Sequence, residues 1–102
     1  MNKTILAALA AISMAVSGPA LAASKKEESC THQAAVVAAV QQARLDRVKE
    51  REVPATVQAQ ATWPEDFNTA IPLVTPWVYE MKMRDVKKSD LSAAWKEMCL
   101  AQ

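Results

Sequence analysis

The chain has 102 residues, of which 51% are hydrophobic and 23% charged, and its formal net charge at neutral pH is +1. This length accommodates one domain, and the near balance of 12 basic and 11 acidic side chains argues against a nucleic-acid-binding or polybasic membrane protein. The apolar and charged fractions both lie in the range of ordinary folded domains, so the composition does not indicate disorder.

Residues 1–22 have the three-part pattern of a secretory signal peptide. A short segment with the single charge of Lys3 comes first, the apolar run Ile5–Val16 follows, and small residues at Ala20 and Ala22 suit a signal peptidase. The apolar run is shorter than the roughly 18 residues that a transmembrane helix needs. We therefore predict cleavage after Ala22, a periplasmic or secreted location in a bacterium, and no stable membrane anchor afterwards.

The predicted mature chain, residues 23–102, is a single small domain in which acidic and basic side chains balance, because Lys3 leaves with the signal. Domains of this size often need covalent help to hold one core. The two cysteines, Cys30 and Cys99, predict a structural disulfide in an oxidising compartment. Their wide separation excludes a Cys-x-x-Cys redox motif, and the ligands for a zinc site are too few.

Helical spacing of apolar residues predicts an all-α domain, a small bundle of about four helices whose first and last members are tied by the disulfide. The first helix is expected to start at Ser24, where Ser-Lys-Lys-Glu fits a capping box, and to end at Pro54. A short second helix begins with that proline in its first position. The single glycine of the chain lies in the signal, which argues against hairpin-rich β structure in the domain.

The third helix is expected to begin at Trp63-Pro64 and to carry a regular apolar seam, formed by Phe67, Ile71, Val74, Val78 and Met81. Pro72 and Pro76 fall within this seam, so they either kink one helix or split it in two, and we predict a broken or kinked helix. The fourth helix follows Ser89 as its N-cap, and one of its faces carries Leu91, Trp95, Met98 and Cys99.

Catalytic motifs are missing from the sequence, and we predict that the protein is not an enzyme and needs no cofactor. A glycine-rich phosphate loop cannot form, and a nucleophile pair of Cys30 with His32, the one histidine, would need the cysteine reduced. Copper binding is an open alternative, because the thioethers of Met81 and Met83 together with His32 suit Cu(I). Methionine is nevertheless far more common in cores than among metal ligands.

Large aromatic residues and a basic segment supply the candidate partner contacts. Trp63, Trp77 and Tyr79 are suited to an interface, and closing the small core is the alternative role for the tryptophans. Lys87 and Lys88 end the basic segment 82–88. This segment would either steer an acidic partner toward the protein or simply be a solvent-exposed helix end.

These features predict an exported, non-enzymatic protein-interaction module, such as a stress chaperone, or an inhibitor or immunity-type protein that masks an enzyme. Its partner would be another periplasmic or secreted protein, and nucleic acid is not expected as a ligand. The alternative function is a carrier for a small molecule or copper, with a pocket between helices.

The signal, the mature size, the helical content and the Cys30–Cys99 pair resemble the small two-cysteine periplasmic proteins of Gram-negative bacteria, best known from the acid-stress chaperone HdeA. The cysteine spacing is longer here. The resemblance implies a helical chaperone that responds to acid. With every carboxylate protonated, the 12 Lys and Arg residues less Lys3, together with His32, give the mature domain a charge near +12. Self-repulsion at that charge favours opening of the fold.

Overall fold

A computed structural model of the chain describes residues 17–102, with side chains described from residue 24 onward. These residues contain no strand and form five α-helices: α1 (Ser17–Leu45), α2 (Val53–Gln58), α3 (Ile71–Tyr79), α4 (Met83–Lys88) and α5 (Leu91–Leu100). Two 3-10 helices, Glu50–Glu52 and Glu65–Ala70, directly precede α2 and α3. The all-α prediction is confirmed, and within residues 17–102 the α-helices number five rather than four.

The start of α1 crosses the predicted signal cleavage site. The apolar run Ile5–Val16 lies outside the described residues, whereas the helix is continuous from Ser17 past Ala22. The buried side chains of α1 begin at Cys30, so cleavage after Ala22 would leave every described buried residue in place. Across residues 17–102, the helices are too short or too polar to span a membrane.

The end of α1 is at Leu45, well before Pro54, so the predicted end at the proline is wrong. Arg47 adopts a left-handed backbone conformation with φ 64°, and its N–H bonds the carbonyl three residues earlier at 3.1 Å. The N–H of Val48 reaches the carbonyl of Ala43 at 3.0 Å. This pair of bonds is a Schellman motif, which here closes the helix with arginine at the position where glycine is commonest.

The core lies between α1, α2 and α3 and consists largely of β-branched side chains. Its fully buried members are Val36, Val37 and Val40 of α1, Val53 and Val57 of α2, and Ile71, Val74 and Val78 of α3. The predicted seam of the third helix is confirmed at the three α3 positions, and Phe67 and Met81 pack against the core as partly buried residues. Full burial of one such aliphatic side chain contributes about 1.5–3 kcal/mol.

The region predicted as a broken or kinked third helix is divided into two consecutive pieces. The 3-10 helix Glu65–Ala70 begins after Pro64. Pro72 then lies in the first turn of α3, where a backbone N–H would have no acceptor within the helix, so the proline costs no hydrogen bond. Pro76 lies inside α3 and removes one internal hydrogen bond from it. The two prolines therefore act differently, since Pro72 is compatible with the start of α3 and Pro76 weakens the interior of the same helix.

The helix α4 occupies the segment that the charge pattern indicates as a basic, solvated stretch. Val86 is its buried residue. The side-chain amide of Gln41 on α1 donates to the carbonyl oxygens of Val86 and Ser89 at 2.7 and 2.8 Å. A tertiary contact thus holds the end of this six-residue helix, which explains why local sequence alone did not predict it.

The last helix runs antiparallel to α1, so the residues that pair follow opposite orders along the two helices. From just before α5 to its end the pairs are Gln41 with Ser89, Gln33 with Trp95, and Cys30 with Cys99. The predicted disulfide is confirmed and joins Cα atoms 5.7 Å apart. Asp90, rather than the predicted Ser89, caps α5, because its carboxylate accepts the N–H of Ala93 at 3.0 Å.

Candidate partner-binding surface

Four apolar side chains on α3 and α5 form a continuous feature that we call the apolar strip: Leu73, Trp77, Trp95 and Met98. Leu73 and Trp77 are four residues apart on α3, and Trp95 and Met98 are three apart on α5, so each pair shares a helix face. The rings of Trp77 and Trp95 connect the two pairs, with centroids 5.5 Å apart and planes tilted by 52°.

The ends of the apolar strip face solvent and its middle is half-buried. Leu73 is 74% exposed and Met98 is 49% exposed. Trp77 and Trp95 are partly buried and pack against the core. Tryptophan is enriched in binding hot spots, and the two anchored rings here adjoin exposed apolar side chains, so the strip is suited to contact a partner.

A pocket of about 500 Å³ lies beside the α5 end of the apolar strip and is lined by Gln33, Trp95, Met98, Cys99 and Gln102. Gln33 is held at both ends of its amide, because it accepts from Trp95 Nε1 at 3.0 Å and donates to Ser29 Oγ at 3.2 Å. Lys26 donates to the main-chain oxygen of Gln102 at the rim. An aromatic and thioether wall with the fixed amide of Gln33 fits an apolar side chain or a small apolar molecule.

Trp63 and Trp77, both predicted partner contacts, have different environments. Trp63 is 8% exposed within the core cluster, and its Nε1 donates to Asn68 Oδ1 at 2.8 Å. It therefore takes the alternative role of closing the core and offers little surface to a partner in this fold. Trp77 belongs to the apolar strip.

Tyr79, the third aromatic candidate, uses its polar end inside the molecule. Its hydroxyl donates to the carbonyl of Val48 at 2.6 Å, and the guanidinium of Arg44 lies 5.1 Å from the ring centroid. Arg44 also donates to the carbonyl of Met81 at 3.1 Å, while its buried Nε has no hydrogen-bond partner among the described residues. Burial raises the pKa of Tyr79 above its ordinary value of 10.0, Arg44 opposes this shift, and Glu50 adds to it.

The basic candidates Lys87 and Lys88 are exposed in the last turn of α4, where positive charge is favourable to the helix dipole. Among the described side chains the ion pair present is Arg84–Asp85, at 3.4 Å between two exposed groups. These lysines precede α5, whereas Met98 lies near the end of that helix, roughly 10 Å further along its axis. The basic segment and Met98 therefore lie toward opposite ends of α5.

The three residues of the copper alternative have distinct surroundings. His32 lies against Phe67 with ring centroids 5.0 Å apart, Met81 packs against the core, and Met83 opens α4 as a half-buried residue. Within the described part of the chain, no three His, Cys, Asp or Glu side chains come together as metal ligands.

Leu73, Met98 and Gln33 belong to the surface but were not among the predicted contacts. The exposure of Leu73 could have been predicted from the sequence, because this residue lies off the buried seam one turn before Trp77. Met98 has helical spacing that places it on the buried face of α5, yet it lies at the exposed edge of that face. Gln33 has no such signal, since its contact with Trp95 spans 62 residues of sequence and depends on tertiary packing.

Comparisons with protein-family models, with curated proteins and with solved structures give no match for this chain. The predicted relation to HdeA-like chaperones therefore stays a prediction, and the functional assignment rests on the residues and geometry described above.

Proposed function

We propose that this protein is an exported, non-enzymatic interaction module that binds another protein through the apolar strip. The observation that carries the proposal is the exposure of Leu73 and Met98 on either side of the Trp77–Trp95 pair. Burial in a complex would contribute at most about 1.5–3 kcal/mol for Leu73 and about half of that for Met98, which is already half-buried. The tryptophans supply adjoining aromatic surface.

The apolar strip is held in place before any partner arrives. Ile71, Val74 and Val78 fix α3 in the core, and the Cys30–Cys99 bridge fixes α5 against α1. A surface that is ordered in the free protein loses less conformational entropy on binding, which raises affinity.

Export is supported by the signal-like pattern of residues 1–22 and by the disulfide, a bond typical of oxidising compartments. The expected mature protein begins at Ala23 and carries an intact bridge. Cell fractionation, N-terminal sequencing and the intact mass of the secreted or periplasmic form test both points. Recovery of the uncleaved chain with free thiols in the cytoplasm would contradict this part of the proposal.

Exposure of the apolar strip in the folded state favours a partner that the folded protein binds at neutral pH, such as an enzyme masked by an inhibitor. An acid-activated chaperone would instead expose further apolar surface after the fold opens. The two versions separate experimentally. The inhibitor version predicts a 1:1 complex at neutral pH, and the chaperone version predicts client protection and dye binding at pH values of about 2–3.

The decisive test uses the oxidised mature protein with a photo-reactive amino acid at position 73 or 98 and, as a control, at exposed position 38 of α1. A partner crosslinked at 73 and 98 but not at 38 is then purified, and its affinity is measured by calorimetry. We expect Leu73→Glu and Met98→Glu to weaken binding about tenfold or more, which corresponds to about 1.4 kcal/mol.

The matched control for these charge substitutions is Ala38→Glu, which places the same carboxylate at an exposed α1 position on the side facing away from buried Val36. This variant should bind as the wild type does. Unchanged affinity in Leu73→Glu and Met98→Glu would show that the apolar strip is not the interface.

A small-molecule carrier is the second candidate, and the pocket beside Trp95 and Met98 is the observation that favours it. An apolar ligand in this pocket should change the fluorescence of Trp95, and the change should be lost in Trp95→Phe. For the copper version, Cu(I) affinity should fall in the double variant Met81→Leu/Met83→Leu. Absence of measurable Cu(I) binding to the wild type would exclude that version.

A further inference from the structure

The two sulfurs of the disulfide have unequal surroundings. Cys30 is 1% exposed on the inner side of α1, and the turn that follows it carries buried Ala34. Cys99 is half-buried and lines the 500 Å³ pocket, where its Sγ lies 3.8 Å from Gln33 Oε1. Of the two cysteines, Cys99 is therefore the one that is less buried and borders the pocket.

We infer that Cys99 is the site of thiol–disulfide exchange in the folded protein, with a small thiol entering through the pocket. The pocket volume far exceeds that of one thiol group, and the amide of Gln33 is already occupied by Trp95 and Ser29. Exchange requires access to the attacked sulfur, and the fold grants that access at Cys99.

The chemistry at this site balances as a two-step exchange. A thiolate attacks Cys99 Sγ, a new disulfide forms between the thiol reagent and Cys99, and the bond to Cys30 breaks. The bonding electron pair leaves with the Cys30 sulfur, which then takes a proton from water. A second thiol attacks the reagent sulfur of the mixed disulfide, so that the products are two cysteine thiols and one oxidised reagent.

Access to Cys99 favours attack on that sulfur, whereas the buried leaving group, Cys30, slows the same reaction. The buried surroundings of Cys30 disfavour the thiolate that must leave, so exchange in the folded protein is slow. In the denatured chain both sulfurs are open to attack, and the preference for Cys99 disappears. The fold therefore determines which sulfur reacts, while burial of the other sulfur protects the bridge.

The test exposes the oxidised wild-type protein briefly to reduced glutathione, once in native buffer and once in denaturant. The reaction is quenched with acid, free thiols are blocked with a maleimide in denaturant, and the protein is digested with trypsin. Cleavage after Lys26, Arg44 and Lys96 separates Cys30 in peptide 27–44 from Cys99 in peptide 97–102. Mass spectrometry then quantifies the glutathione adduct on each cysteine.

We expect a preference for Cys99 of about tenfold or more in the native protein and near parity in denaturant. Met98→Ala should widen the approach and raise the native exchange rate, whereas Ala38→Ser, at an exposed α1 position outside the pocket lining, should leave it unchanged. Equal adducts on both cysteines in native buffer would overturn the inference. So would a complete lack of native adduct at Cys99 over a time in which the denatured protein is fully reduced.

Discussion

The helices α3 and α5 both pack on α1, yet they are held there by different forces. The residues that α3 buries are Ile71, Val74, Thr75 and Val78. By contrast, α5 buries Leu91, leaves Trp95 half-buried, and relies on the Cys30–Cys99 bridge and the Trp95–Gln33 hydrogen bond. The disulfide is thus located on a helix that buries fewer side chains than α3, and the apolar strip joins a helix fixed by its core to a helix fixed by a covalent bond.

Removing the bridge should have the largest effect and should act mainly on α5. The sequence separation between the cysteines is 69 residues, and chain-entropy reasoning assigns about 4 kcal/mol of stability to a loop of this order. We expect the double variant Cys30→Ala/Cys99→Ala to lose about this free energy of unfolding in urea titrations. Hydrogen exchange should show loss of protection in α5 before α3, and simultaneous loss in both helices would contradict the comparison.

Truncation of the α3 core should come next. Ile71→Ala leaves a cavity between α1 and α3 and should lower the free energy of unfolding by about 3 kcal/mol. The matched control is Leu73→Ala on the exposed face of the same helix, whose effect should stay within about 0.5 kcal/mol. Urea unfolding measures both variants. Similar losses at the two positions would show that α3 is not anchored by its buried seam.

Tyr79→Phe tests the polar contact between the end of α3 and the segment after α1. Loss of the hydroxyl leaves the Val48 carbonyl without its donor and should reduce the free energy of unfolding by about 1.5 kcal/mol. The folded-state pKa of Tyr79 is raised above 10.0, so the neutral hydroxyl contributes stability that is fully present below the unfolded-state pKa. That contribution is lost as pH rises through the folded-state pKa.

Tyrosinate absorbance and alkaline unfolding curves check this pH dependence. The wild type should lose stability at alkaline pH more steeply than Tyr79→Phe, because the variant has no hydroxyl to ionise. Parallel curves for the two proteins would indicate that ionisation of Tyr79 is not linked to folding.

The smallest effect in this series should come from the cap of α5. Asp90→Ala removes the acceptor for the Ala93 N–H and should cost about 1 kcal/mol. Ser89→Ala is the control, since Ser89 contributes its main-chain carbonyl, not its side chain, to the contact with Gln41. Helix content and urea midpoints measure the difference. Equal effects would mean that the cap adds nothing to a helix already fixed by the disulfide.

Much of the helical architecture was predictable because local patterns and tertiary packing agree in those places. The seam at Ile71, Val74 and Val78 is buried as its spacing predicts, and Pro54 lies at the start of α2. The cysteine pair could be predicted since a chain with two cysteines has one intramolecular pairing. The end of α1 at Leu45 could not, because it depends on a left-handed arginine, a conformation that sequence rules assign to glycine.

The candidate site was less predictable than the fold. Trp63 and Trp77 are the same residue type near prolines, yet one closes the core and the other lies at the surface strip. Their roles differ because of neighbours distant in sequence, since Trp77 meets Trp95 from the last helix. Residue type therefore identified both tryptophans as candidate partner contacts but did not indicate which of them lies at the surface.

The sequence by itself predicted a small helical domain after residue 22, and it fixes the balanced charge and the lack of glycine in residues 23–102 and the pair of cysteines that can close one disulfide. The balanced charge of residues 23–102 gives little net electrostatic attraction toward a charged partner, which favours apolar contacts. Tertiary structure decided which apolar side chains remain exposed and can contact a partner. Burial is set by the antiparallel docking of α5 and the packing of α3 on one helix, and such long-range pairings are not encoded in local spacing.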